Sequence, residues 1–99
     1  MTQNFERHLA EDRRLVILRM LAHSMGYSAN AYAVEAVLGD MGHVVSTDRV
    51  RSDIAWLVEQ GLATTTQVGG VTIAKITERG LDTARGKTVV PGVKRPQPD

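Results

Sequence analysis

The hydrophobic pattern changes period at Gly61, and that switch constrains the chain more than any other feature. Upstream, residues 46–61 read STDRVRSDIAWLVEQG. At about 100° per residue Val50, Ile54, Leu57 and Val58 fall on one stripe, which predicts an amphipathic helix facing a core. Ser46 or Thr47 is placed to cap it, Asp48 suits the positive end of its dipole, and Gly61 supplies the stop. Asp48, Ser52 and Glu59 fall roughly opposite the stripe, with Arg49 and Trp56 flanking on one side and Arg51 on the other. Downstream, LATTTQV and VTIAK are β-prone runs joined by Gly69 and Gly70. A two-residue glycine loop predicts a tight hairpin, with Val68 facing Val71 and Thr66 facing Ile73.

The chain before this switch reads as two helices. Residues 4–25 contain neither glycine nor proline and predict a long helix with two apolar stripes. Leu18, Leu21, Ala22 and Met25 form one stripe, Phe5, Leu9, Val16 and Met20 the nearly opposite one, and Leu15 and Ile17 lie between them. A small domain has one core to offer, so the second stripe is expected to meet another copy in a two-fold homodimer. The alternative is cover by the last helix of the same chain. Residues 27–30 read as a turn with two candidate caps, and residues 30–41 as a second helix with Ala33, Val34, Val37 and Leu38 on one face. Gly42 is its terminator. His43, Val44 and Val45 follow, the valines pinning the turn or supplying one short strand against the hairpin.

After the hairpin, Thr77 caps a short helix, ERGLDTARG, with Leu81 and Ala84 inward and Glu78, Arg79, Asp82 and Arg85 outward. The ending KTVVPGVKRPQPD has three prolines, which exclude a regular helix. It predicts a solvated tail over residues 87–99, set apart from a domain over residues 1–86. The alternatives are packing of Thr88, Val89 and Val90 against the body, and Lys94 and Arg95 reaching phosphates as a mobile arm.

Composition narrows the chemistry. Ninety-nine residues suit one domain, and one Phe, one Trp and two Tyr require a mostly aliphatic core. With no cysteine, disulfide scaffolds, thiolate catalysis and cysteine-ligated zinc are excluded. The net charge of +1 divides unevenly, residues 1–60 holding six Arg against eight acids and residues 61–99 six Lys or Arg against three. No apolar run reaches the roughly 18 residues of a membrane span, and Glu6, Arg7, Glu11 and Asp12 stand where a signal peptide is apolar. A cytoplasmic protein is expected. His8 and His23 lie fifteen positions apart on the first helix, roughly 22 Å at 1.5 Å per residue, too far to share an ion. His43 near Asp40 reads as capping or surface packing. No serine elbow, phosphate loop or dinucleotide fingerprint occurs, so neither an enzyme nor a metal or cofactor is expected.

Taken in order, the pieces make a mainly α chain with a small β-hairpin, a winged helix-turn-helix. DRVRSDIAWLVEQGLATTT, the Gly-Gly hairpin and KITERGLDTARGK resemble winged-helix transcription regulators of the arsenic-repressor and multiple-antibiotic-resistance types. With the ending VVPGVKRP, the chain from Arg13 to Pro96 resembles arsenic-repressor-like small proteins of Mu-like prophages. The resemblance implies a groove-reading role for Thr47, Arg49, Arg51 and Ser52, and a wing role for Gly69, Gly70 and Lys75. The metal-sensing cysteines of the first type and the wing arginine of the second have no counterpart here, Lys75 being the one hairpin cation. Trp56 is expected to pack beneath the wing. The expected function is a homodimeric phage or prophage transcription regulator binding double-stranded DNA. The rival is a protein-interaction or assembly module without nucleic acid, favoured by Asp48, Asp53 and Glu59 on the third helix.

Overall fold

Helix α1 (Thr2–His23) is the longest element of the computed structural model, which describes residues 2–97. At 1.5 Å per residue it spans about 33 Å, close to the 40 Å length of the molecule. Past His23, Gly26 (φ 68°) and Tyr27 (φ 59°) adopt left-handed backbone within a 3₁₀ turn, Met25–Tyr27. That reversal lays the next residues beside the hairpin as strand β1 (Ser28–Asn30). Asn30 then caps α2 (Ala31–Asp40), its side chain accepting from the Ala33 N–H at 2.8 Å. Ser46 caps α3 (Thr47–Glu59), accepting from the Arg49 N–H at 3.1 Å.

β2 (Ala63–Val68) and β3 (Val71–Ile76) pair antiparallel with Thr66 opposite Ile73 and Val68 opposite Val71, the expected register. Gly69 (φ 56°) and Gly70 (φ 81°) supply the two left-handed residues that such a loop requires. α4 (Glu78–Ala84) follows, capped by the Thr77 hydroxyl, which accepts from the Gly80 N–H at 3.0 Å and donates to the Gly61 carbonyl at 2.7 Å.

The architecture is therefore mixed α/β, four helices and a three-stranded antiparallel sheet of order β1–β3–β2, rather than helices with a bare hairpin. It is compatible with a winged-helix arrangement. The added strand corrects the turn expected at residues 27–30: Ser28, Ala29 and Asn30 pair with Lys75, Ala74 and Ile73. His43, Val44 and Val45 form no strand, because the His43 N–H is drawn back to the Leu38 carbonyl at 2.7 Å and its ring to Asp12.

Ile17, Leu18 and Leu21 of α1, Val34 and Leu38 of α2, and Val50, Ile54 and Leu57 of α3 meet in one aliphatic core under the sheet. Leu15 and Ile17 are buried because α1 touches α2, α3, α4 and the sheet around a wide arc. Met25 and Val58, both expected inside, are exposed, Met25 because the helix has already ended. Over residues 90–94 the tail is not a solvated end. Val90 and Val93 enter the core, the Arg14 guanidinium donates to the Gly92 carbonyl at 2.9 Å, and the Lys94 N–H donates to the Glu11 carbonyl at 3.1 Å. Proline prevents helix in this segment without preventing packing. Gly92, at φ 99°, lets the strap lie against the Trp56 ring, where a Cβ would stand 2.5 Å from Cζ2. Trp56 thus packs beneath the tail rather than the wing, with the Arg14 guanidinium 4.0 Å from its ring centroid.

Candidate nucleic-acid interface

The outer surface of α3 is sorted by what its polar residues touch. Arg49, Arg51 and Ser52 are exposed, as are Asp48 and Glu59. Asp53 is withdrawn: Arg13 of α1 grips it with Nε–Oδ2 at 2.6 Å and a second guanidinium nitrogen on Oδ1 at 3.2 Å, both residues being buried. The acid counted against this face is therefore internal and paired. At 100° per residue Asp53 falls about 40° from Leu57, on the core side, a signal available in the sequence. Among the described residues the ion pairs of arginine and lysine are Arg13–Asp53 and Lys94–Asp12, the His43 ring also contacts Asp12, and neither Arg49 nor Arg51 belongs to any of these.

Thr47 differs from its neighbours. Its hydroxyl donates to Glu35 of α2 at 2.6 Å. The one proton it has to offer a phosphate is thus already in use, and Thr47 locks α2 to α3 instead.

Gly69 and Gly70 form the exposed hairpin tip, while Lys75 is exposed on the central strand between Ser28 and Thr64. Five residues at about 3.3 Å each separate tip from lysine, so they are roughly 17 Å apart along β3 and make no single patch. Arg49 instead shares an open groove with Glu6, Arg7, Leu9 and Arg13 of α1.

A second polar cluster holds the elements behind α3. The His43 ring, from the α2–α3 connection, lies 2.6 Å from Asp12 Oδ2, and the Lys94 ammonium 3.3 Å from Oδ1. Burial opposes ionisation of Asp12, but the bonds from His43 and Lys94 outweigh it and hold the carboxyl below its ordinary pKa. Burial likewise lowers the Arg14 pKa, with Asp53 and Glu11 acting in the opposite sense. His8 and His23 are exposed, and among the described residues no three His, Cys, Asp or Glu side chains converge to hold a metal ion. No described helix is long and apolar enough to cross a membrane.

The chain is 47% identical over 90 residues to protein gp26 of Escherichia phage Mu, covering 91% of this chain and 93% of that one. The chain belongs to the phage Mu gp26 family. A Haemophilus influenzae protein is 40% identical over 79 residues, 79% of this chain and 76% of its own length. The expected kinship with small proteins of Mu-like phages is thereby established, and both gp26 and the Haemophilus protein are themselves uncharacterized. No family model matches the chain, and no solved structure does.

Proposed function

We propose that this protein binds duplex DNA through α3 and acts as a homodimeric phage or prophage transcription regulator, of winged-helix type. The observation that carries the reading is the disposition of charge on α3: Asp53 is turned inward and paired, while Arg49 and Arg51 are exposed outside every ion pair described.

At 100° per residue the two arginines stand about 160° apart around the helix axis. Laid in a major groove about 12 Å wide, such a helix sends one guanidinium to each phosphate wall. Ser52 and Asp48 then face the floor between them, where a carboxylate accepts from cytosine or adenine amino groups. The capped N-terminus adds a positive dipole end to the same side. The glycine hairpin tip approaches the adjacent backbone with no side chain in the way, and Lys75 serves the sheet face near its base.

The test is fluorescence anisotropy of a random-sequence duplex with the full chain across a salt series. Wild type is expected to bind at low salt. Arg49→Ala with Arg51→Ala is expected to flatten the dependence of log K on log salt by about 1.8, the equivalent of two phosphate contacts. No binding at low salt, or an unchanged slope in a variant with native circular dichroism, overturns the reading. Either result returns Asp48 and Glu59 to prominence and leaves a protein-assembly module.

A further inference from the structure

The outer stripe of α1 has two halves in different surroundings. Phe5, Leu9, Val16 and Met20 lie within about 60° of arc at 100° per residue. Yet every residue from 3 to 9 is exposed, Phe5 at 64% and Leu9 at 37%, so the first two turns of α1 project beyond the body. Val16 and Met20 are half-buried and, with Val37 and Met41 of α2, line an apolar groove of about 250 Å³ rimmed by Arg19 and His23. One helix therefore carries both an apolar projection and an apolar recess.

We propose that a second copy of this chain docks antiparallel along α1, so that Phe5 and Leu9 of each copy occupy the α1–α2 groove of the other. The register selects this occupant. In an antiparallel two-fold pair, residues meet when their numbers add to a constant, and Phe5 with Met20 shares that constant with Leu9 and Val16. One axis, crossing α1 at the level of Asp12 and Arg13, satisfies both contacts, and each contact occurs twice.

The apolar surface left open gives a second copy something to cover. A fully enclosed aromatic side chain buries about 150–250 Å², so the exposed part of Phe5 alone leaves on the order of 100–150 Å² to cover in each copy. The seam runs roughly 22 Å along α1 and is widened by Val37 and by Met41, itself 62% exposed. The projecting turns bury none of their described side chains, and most helical stability comes from packing of an apolar face. The net charge of +1 sets little repulsion against association.

This pairing supplies the interface of the homodimer in the proposed function and rests on that part of it alone; a monomeric variant that still binds duplex separates it from the nucleic-acid contact. Sedimentation equilibrium of the full chain is expected to show a dimer. Phe5→Glu, at a position exposed in the single chain, is expected to weaken it at least about 100-fold with unchanged circular dichroism. Because the chain has no cysteine, Leu9→Cys and Val16→Cys chains can be mixed and treated with a short bis-maleimide. Cross-links between the unlike variants support the register. A wild type monomeric at ~100 µM, a Phe5→Glu dimer of unchanged strength, or Leu9→Cys linking only to itself overturns the proposal.

Discussion

Arg13 and Asp53 tie α1 to α3, because their two-bond grip spans 40 positions of sequence and is largely buried. Replacing such a pair by apolar residues is often tolerated, whereas removing one partner strands a buried charge. Arg13→Ala or Asp53→Ala should therefore lower the unfolding free energy by about 3–5 kcal/mol in urea titrations, and Arg13→Met combined with Asp53→Leu should recover most of the loss. Asp12 adds a pH dependence of definite sign. Its folded pKa lies below its unfolded one, so the native state binds fewer protons there. The contribution is full above the unfolded value of about 3.9 and disappears as pH falls through the lower folded one. Urea midpoints should drop as pH is taken from about 5 to about 2, and Asp12→Asn should remove part of that drop. The Asp53 position was legible from helical periodicity. The Asp12 cluster was not, since its partners lie 31 and 82 residues away and neither distance leaves a mark in local pattern.

Among the elements, the tail strap depends on Gly92 and the α4 junction on Gly80. Gly92 combines φ 99° with the Trp56 ring at van der Waals range, so Gly92→Ala should cost about 1–3 kcal/mol by thermal or urea denaturation. Gly80 is helical, but a Cβ there would collide with the Leu62 carbonyl and the Ile76 side chain, so Gly80→Ala should destabilise by a similar or larger amount. Helices α1 to α4, the caps of α2 to α4 and the hairpin register follow from periodicity, capping residues and the Gly-Gly loop, all local signals. β1 escaped notice because three residues give no alternation to detect. It exists through pairing with β3, a partner more than 40 positions on. The strap escaped for the opposite reason. Its prolines correctly excluded a helix, but extended chain can still bury Val90 and Val93. On the candidate interface, the exposure of Arg49, Arg51 and Ser52 was legible from the helical wheel, while the diversion of Thr47 to Glu35 required knowing how α2 and α3 cross.

At the scale of the whole molecule, a fold of 99 residues with an aliphatic core holds modest stability. Pairing through α1 would make that stability depend on mass action. Each tenfold rise in protein concentration should then add about 1.4 kcal/mol to the unfolding free energy of the dimer, and Phe5→Glu should abolish the dependence. The strap offers a further consequence. The chain has a single tryptophan, and that ring lies against both the Arg14 guanidinium and the Gly92 backbone, which are themselves hydrogen-bonded. Its emission therefore reports, without any label, whether the strap around Gly92 is seated, and it stands on the same helix as Arg49 and Arg51. Lifting of the C-terminal segment, global melting and engagement of α3 are thus open to separation by one intrinsic optical signal.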